Sequence, residues 1–239
     1  MFHTPKVLVA GPISSVKDYC FDEWVENVKN FTYTNYDVLL VDNSVENSFL
    51  EKIKEKGIKF FHITTEKNKK SLLKRLAISH ELVRRYTLSN DYDYLLHLET
   101  DVIPPKDIIE KLMFKIHSDS KKLCLAAMYQ YLTNSKRKPL LQTILTEENL
   151  VRSVVPQDLN THLIDGAVKK VYSAGLGCIL MKKELLKKIK FRHIENTGYF
   201  TDVLFVGEMY NKKIPYYVDT SVLCTHRNKD WGEFNIHYN

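Results

Sequence analysis

Four short, almost entirely apolar runs alternate with longer amphipathic stretches in the first half of the chain. The runs are "KVLVA" (6–10), "DVLLVD" (37–42), "IKFFHI" (58–63) and "YDYLLHL" (92–98). Strands that are apolar on both faces are typical of a parallel sheet covered on both sides. Residues 70–88 place leucine, valine and tyrosine near helical spacing, with lysine and arginine elsewhere. The alternation therefore predicts right-handed βαβ units and an α/β fold with a mostly parallel sheet.

The second half of the chain has a different pattern. Its predicted strands are "KLCLAAMYQYL" (122–132), "PLLQTIL" (139–145) and "VYSAGLGCILM" (171–181). A polar loop is predicted at 146–170, a basic amphipathic helix at 182–191 and another helix near 201–212. The chain has 239 residues, 44% of them hydrophobic, and no internal repeat or linker. One domain spanning 1–239 is the simplest interpretation, with halves of about 1–120 and 121–239.

Composition and charge narrow the classes of protein. The four cysteines are scattered without a C-x-x-C pair, which predicts buried, reduced thiols and neither a disulfide framework nor a zinc site. The apolar runs are too short for a signal peptide or a membrane span, and we expect a cytoplasmic protein. A formal charge of +6 suits an acidic partner such as a nucleotide phosphate, an anionic membrane surface or nucleic acid, and is too small to select among them. No RNA-binding motif or zinc finger is present, so nucleic acid is not an expected partner.

Polar residues follow the predicted strands at the edge where parallel sheets bind ligands. In such sheets, ligands bind outside the carboxyl ends of the strands. The residues at these ends are Gly11, Asp42, Asn43, Glu99 and Asp101. We therefore expect the functional site at this edge.

The stretch "LLHLETDVIPP" (95–105) places Glu99 and Asp101 two residues apart after a buried strand. Side chains two apart in an extended stretch face the same side, so both carboxylates could address one divalent cation. The alternative is a solvated strand end. His226 follows the strand "SVLC", and a neutral imidazole is a good ligand for Mn²⁺. It could instead bond the backbone, whereas His97, inside its strand, is interpreted as structural.

The ordered set of motifs resembles the family 2 glycosyltransferases, which have the GT-A fold. The set consists of "VLLVDNS" (38–44), "LLHLETDVIPP" and "YFTDVLFVGEMYNKKIPYYVDTSVLCTH" (199–226), in matching order across residues 5–227. The resemblance implies a single GT-A-type domain with a Rossmann-like central sheet and a smaller antiparallel element on the acceptor side. It assigns nucleotide-sugar binding to the first half and acceptor binding and catalysis to the second.

The resemblance also implies roles for individual residues. Asp42 would contact the base, Arg75 the base or diphosphate, and Glu99 the ribose or a metal-bound water. The full nucleotide-sugar set is Ala10, Gly11, Pro12, Asp42, Asn43, Arg75, Glu99 and Thr100. Asp101 and His226 would hold the metal, Gly175 and Gly177 would border the acceptor, and Asp202 would be the catalytic base.

The chain departs from the family pattern at two positions. Glu99 stands where the family has Asp, and Thr201-Asp202 stands where it often has Glu-Asp. The Q-x-x-R-W motif of processive synthases is absent, which argues against a polysaccharide synthase. We expect Thr201 to cap a helix that Asp202 opens, so that the helix dipole keeps the carboxylate charged and lowers its basicity.

The expected function is a glycosyltransferase dependent on Mn²⁺ or Mg²⁺. We expect an inverting mechanism, because Asp202 is available as a base. A UDP-sugar is the preferred donor, and the acceptor would be a glycan, a protein or a lipid-linked molecule. Two alternatives stay open: a nucleotidyltransferase that makes a nucleotide sugar, and a non-catalytic module that binds nucleotide or glycan. The helix at 182–191 could also dock weakly on an anionic membrane, although a solvated helix face is the favoured interpretation because its apolar residues are few.

Overall fold

The computed structural model describes residues 4–44, 48–63, 71–140, 142–145, 150–153 and 164–229. The elements of the first half are β1 (Val7–Ile13), a short 3-10 helix (Ser15–Lys17), α1 (Asp18–Lys29), β2 (Tyr36–Asp42), α2 (Ser48–Glu55), β3 (Lys59–His62), α3 (Leu72–Ser89), β4 (Tyr94–Leu98), β5 (Val102–Ile103) and α4 (Ile108–His117). Those of the second half are β6 (Cys124–Thr133), β7 (Lys136–Pro139), β8 (Gln142–Leu145), β9 (Leu150–Ser153), β10 (Val168–Val171), β11 (Cys178–Lys182), α5 (Lys183–Lys188), α6 (Thr201–Asn211) and β12 (Tyr216–His226).

The central sheet joins the two halves of the chain. Its strand order over the described residues is β10-β12-β6-β11-β4-β1-β2-β3, with β5 paired to β12 and β7 to β6. The four strands β3, β2, β1 and β4 are all parallel, while β11 runs antiparallel between β4 and β6. Strands β8 and β9 form a separate antiparallel pair. The predicted α/β class, with a mostly parallel central sheet flanked by helices, is confirmed.

Both faces of the sheet are buried, which explains the uninterrupted apolar runs. Along β1, Val7 and Val9 belong to one hydrophobic cluster, and Leu8 and Ala10 belong to the other. The first cluster packs under α1, α2 and α4, and the second under α3, α5 and α6. Successive strand residues point to opposite faces, so a strand covered on both sides must be apolar throughout.

Several predicted boundaries in the second half are wrong. The predicted strand at 171–181 is the end of β10 and the start of β11, separated by a loop in which Gly175 has a φ of 72°. The predicted strand at 139–145 divides into the end of β7 and β8, with residue 141 outside the described residues. The predicted loop at 146–170 contains β9 and the start of β10, while 146–149 and 154–163 lie outside the described part.

The basic helix is shorter than predicted. It covers Lys183–Lys188, and Ile189 after it is extended, with φ −119° and ψ 140°. Leu185, Leu186 and Ile189 are fully buried, so the core uses the apolar side chains that docking on a membrane would need. No helix in the described ranges has the length and apolar character needed to cross a bilayer. All four cysteines are buried free thiols, as predicted.

Candidate functional site

A cleft of about 270 Å³ lies at the carboxyl ends of β1, β2 and β4. The predicted site residues that line it are Pro12, Asn43, Glu99, Thr100, Asp101, Asp202 and His226. These positions are spread over the whole chain, and the sheet order brings them together. The cleft is at the edge that the strand-end argument predicts.

Asp101 is the most deeply buried charged group of the cleft. Its side chain is 0% exposed, and its Oδ2 forms an ion pair with the ammonium of Lys17 from the 3-10 helix after β1. His226 Nε2 lies 3.3 Å from the same oxygen. Oδ1 of Asp101 has no hydrogen-bond partner among the described residues. A buried carboxylate oxygen without a donor is costly, which makes this position a candidate ligand site.

The tautomer of His226 follows from its other contact. Nδ1 lies 2.9 Å from the carbonyl oxygen of Gln130, and because a carbonyl only accepts, Nδ1 carries the hydrogen. Burial lowers the pKa of His226 to about 4, so the ring is neutral near pH 7. Its Nε2 therefore presents a lone pair toward Asp101. A lone pair and a carboxylate oxygen at this separation repel each other, and a positive charge close to both relieves the repulsion.

The residues present supply two protein ligands for a cation. Within the described ranges, no group of three or more His, Cys, Asp and Glu side chains is arranged to hold a metal ion. Asp101 and His226 nevertheless offer a free carboxylate oxygen and an imidazole lone pair, a donor set that suits Mn²⁺ or Mg²⁺ when phosphate and water oxygens complete the shell. The donor chemistry of Asp101 and His226 thus fits a divalent cation that takes its remaining ligands from other molecules.

Glu99 and Thr100 line the cleft beside Asp101. Glu99 is half-buried, and its backbone N–H donates to the carbonyl of Gly177 at 2.9 Å. Thr100 is 1% exposed, and its Oγ1 has no partner among the described residues. The segment is therefore fixed by its backbone, while its side chains remain available to a ligand.

Asp202 lies across the cleft in the first turn of α6. Its Oδ1 accepts from the N–H of Val203 at 2.8 Å. Burial raises the pKa of Asp202 to about 6, although this backbone hydrogen bond acts in the opposite direction. The prediction that the helix start lowers the basicity of Asp202 is therefore wrong, because desolvation outweighs the helix amides. The predicted cap is also wrong: Thr201 is the first helical residue and Phe200 occupies the capping position.

Asp42 and Asn43, at the end of β2, have different surroundings. Asp42 is fully buried, with Oδ1 accepting from Ser44 N–H (3.1 Å) and Ser44 Oγ (2.6 Å), and Oδ2 lying 2.7 Å from His62 Nδ1. It does not reach the cleft lining. Asn43 does, with Nδ2 donating to Ser79 Oγ at 3.1 Å and Oδ1 without a partner among the described residues. The acceptor that faces the cleft at this strand end is the amide of Asn43.

Ala10, Gly11 and Arg75 also lie outside the cleft lining. Ala10 and Gly11 are buried within β1, and a Cβ on Gly11 would clash with the carbonyl oxygen of Leu98. Glycine here lets the ends of β1 and β4 approach closely. Arg75 is half-buried on α3, whereas Leu72, Leu76 and His80 of that helix line the cleft.

The two glycines of "SAGLGC" make room for Tyr129. A Cβ on Gly175 would clash with the hydroxyl of Tyr129, and one on Gly177 would lie 2.6 Å from its ring. The Tyr129 hydroxyl accepts from the Gly177 N–H at 3.1 Å, and the tyrosine itself lines the cleft. Neither glycine lines the cleft, but both leave the space in which Tyr129 packs as one of its lining residues.

The cleft residues that sequence reasoning missed include Lys17, His80 and Tyr129. Lys17 follows a strand end in "GPISSVKD", which is a usable signal, since strand ends mark the ligand edge. His80 lies inside α3 and Tyr129 inside β6, where the sequence pattern indicates packing and gives no sign of a ligand site.

Comparisons with known proteins support the architecture. No protein-family model and no curated protein sequence matches the chain. Among solved structures, GalNAc-T7 with UDP, GalNAc and Mn²⁺ matches with a TM-score of 0.65 and 11% identity, covering 97% of this chain and 45% of that one. S. aureus TarS 1–349 in complex with UDP-GlcNAc matches with a TM-score of 0.59 and 16% identity, covering 94% and 60%.

Both of these proteins are GT-A-type glycosyltransferases. This chain spans less than two thirds of either matched chain, and at these identities the likeness concerns the fold. The protein therefore has the GT-A fold that its resemblance to the family 2 glycosyltransferases implied.

Proposed function

We propose that the protein is a metal-dependent, inverting glycosyltransferase that uses a UDP-sugar as donor. The observation that carries this proposal is the pairing, in one cleft, of two different carboxylates. Asp101 is buried, with one oxygen unpartnered and the other facing a neutral histidine, whereas Asp202 is held at a pKa of about 6. The first arrangement suits a cation with a diphosphate, and the second suits proton transfer.

Asp101 and His226 would hold Mn²⁺ or Mg²⁺, and Glu99 would lie beside the ribose. When bound, the cation would neutralise the charge that develops on the diphosphate leaving group. The unpartnered Oδ1 of Asn43 would accept the N3–H of uracil, because Ser79 already engages the amide nitrogen. Structural neighbours crystallised with UDP and with UDP-GlcNAc support this choice of nucleotide.

Asp202 would accept the proton of the acceptor hydroxyl as its oxygen attacks the anomeric carbon. With a pKa of about 6, roughly nine tenths of the carboxyl groups are ionised at pH 7, and each is more basic than an ordinary aspartate. Burial thus provides both the charge state and the basicity that the step needs.

The rim of the cleft suggests how an acceptor would bind. Val16, Leu72 and Phe200 line the cleft while remaining 70%, 50% and 41% exposed. Exposed apolar side chains clustered at a cleft mark a binding surface. They suit the apolar face of a sugar ring or of a lipid-linked acceptor. The proposed acceptor is therefore a glycan, a protein side chain or a lipid-linked molecule.

The proposal is tested by measuring UDP release from a panel of UDP-sugars with Mn²⁺, with and without EDTA, and with candidate acceptors. We expect slow UDP release by hydrolysis that requires the metal and that Asp101→Ala largely abolishes. Pyrophosphate release from UTP and a sugar phosphate would instead identify a nucleotidyltransferase. Tight UDP binding with no turnover of any donor would identify a binding module.

A further inference from the structure

The cation that contacts Asp101 in this structure belongs to the protein itself. Lys17, in the 3-10 helix that follows β1, contacts Oδ2 of a residue 84 positions away in the sequence. Its side chain is 31% exposed, whereas that of Asp101 is 0% exposed. A buried carboxylate is strongly destabilising unless it is paired, so Lys17 supplies the charge that Asp101 needs in the ligand-free protein.

We propose that Lys17 is an exchangeable counter-cation of the donor site. It neutralises Asp101 in the ligand-free protein, leaves Oδ2 when a divalent cation binds, and then contacts the diphosphate of the donor. This inference rests on the proposed function, since it assumes that Asp101 is a metal ligand.

Two observations favour exchange over a permanent ion pair. The pair leaves Oδ1 of Asp101 without a hydrogen-bond partner among the described residues, so the ammonium satisfies the carboxylate incompletely. A divalent cation within about 2.0–2.2 Å of a carboxylate oxygen of Asp101 would repel an ammonium on the same carboxylate.

The position of Lys17 also allows the second contact. Its flexible four-carbon stem starts from the 3-10 helix that follows β1, lines the cleft and is partly exposed. A diphosphate that completes the metal shell would bring negative charge to the same place, and lysine binds phosphate as a point charge. The lysine would therefore change partners without a change in the backbone.

The first test compares Mn²⁺ binding to the full chain by electron paramagnetic resonance, in wild type, Lys17→Met and Lys17→Arg. Without nucleotide, Lys17→Met should bind Mn²⁺ roughly tenfold more tightly than wild type, because no ammonium competes for Asp101. With Mn²⁺ saturating, the same variant should bind UDP roughly tenfold more weakly. Lys17→Arg keeps the charge and should stay near wild type in Mn²⁺ affinity.

Lys52→Met is the matched control. Lys52 has a similar side-chain exposure of 30%, but it pairs with Asp18 and Asp22, outside the cleft. Its variant should bind both Mn²⁺ and UDP like wild type. Equal Mn²⁺ affinities of Lys17→Met and wild type would overturn the inference. That result would not refute the proposed sugar transfer, which is measured separately.

A second measurement uses the unmodified protein and does not depend on a variant that folds. Acetylation of Lys17 by an amine-reactive ester, followed by peptide mass spectrometry, should rise several-fold when Mn²⁺ is added and fall again with Mn²⁺ and UDP together. Lys52 should not respond. Labelling of Lys17 that ignores saturating Mn²⁺ would refute the exchange. If neither wild type nor any variant bound Mn²⁺, the exchange would be refuted as well. UDP-sugar turnover in EDTA would then show that the protein transfers sugar without a metal.

Discussion

Two aspartates close the strands that flank β1, and they illustrate opposite uses of a buried carboxylate. Asp42 ends β2 and Asp101 follows β4, and both are 0% exposed. The oxygens of Asp42 are bonded by Ser44 and His62. Asp101 has one oxygen with no partner in the described residues and another that faces a flexible lysine and a histidine lone pair.

The difference separates a structural carboxylate from a binding one. Fixed donors within the same region satisfy Asp42, so it has little left to offer a ligand. Asp101 retains an unmet requirement, and leaving a buried acceptor unsatisfied costs free energy that a ligand can recover. Asp202 forms a third case, because its environment opposes ionisation without removing it from the cleft.

The largest effect is expected at Asp202. Asp202→Asn keeps the shape of the side chain but removes the base, so turnover should fall ~10²-fold or more while UDP affinity in the presence of Mn²⁺ is retained. Steady-state kinetics and calorimetry on the same preparation measure both quantities. Near-normal turnover in the folded variant would defeat the base assignment and favour a retaining mechanism.

Stability provides a control for the same variant. Because the pKa of Asp202 is raised from 3.8 to about 6, its ionisation weakens the folded state, and this loss is complete above pH 6. Asp202→Asn should therefore melt at a higher temperature than wild type at pH 8, with the difference shrinking as the pH falls toward 4. If Asp202 merely stabilised the start of α6, the variant would instead melt lower.

The next prediction compares the two buried aspartates directly. Asp101→Asn should weaken Mn²⁺-dependent UDP binding at least ~10-fold, since an amide is a poor ligand for a divalent cation. Asp42→Asn should lower the free energy of unfolding by about 1–3 kcal/mol through the loss of its charged hydrogen bonds, with UDP affinity changed only slightly. Calorimetric titration and urea unfolding separate the two outcomes.

This pair of variants also tests the resemblance-based expectation that Asp42 contacts the base. Equal losses of UDP affinity in Asp42→Asn and Asp101→Asn, with stability preserved in both, would restore Asp42 as a nucleotide ligand. The number of hydrogen-bond partners of a buried carboxylate would then not distinguish ligand-binding from structural aspartates in this cleft.

The pH dependence of transfer should show the state of Asp202. The base acts in its ionised form, so kcat/KM should be level above pH 7 and fall roughly tenfold per unit once the pH is below about 6. His226, with its pKa lowered to about 4, stays neutral through this range and adds no second limb. A rate that is independent of pH between 5 and 7 would contradict the assignment, and the residual rate of Asp202→Asn should be level there.

The sequence was sufficient for the architecture because periodicity depends on which residues are buried. Runs such as "DVLLVD" had to be covered on both faces, and strand ends such as Asn43 and Asp101 had to share one edge. The sequence was insufficient to identify the side chains that each polar residue of the site contacts. Whether Asp42 is satisfied depends on His62, and whether Asp202 is desolvated depends on the packing of α6. Those contacts are set by tertiary structure, as is the reach of Lys17 to Asp101.

The smallest effect is expected at Asn43, beside the satisfied aspartate. Its Oδ1 would accept the N3–H of uracil, whereas cytosine has no hydrogen at N3. Wild type should therefore prefer UDP to CDP, and Asn43→Ala should weaken UDP binding roughly 3- to 10-fold while leaving CDP binding nearly unchanged. Ser79→Ala frees the amide nitrogen that Ser79 holds, and should cause a smaller loss in the same direction. If Asn43→Ala weakened UDP and CDP equally, Asn43 would shape the cleft without reading the base, and the end of β2 would be structural at both of its polar residues.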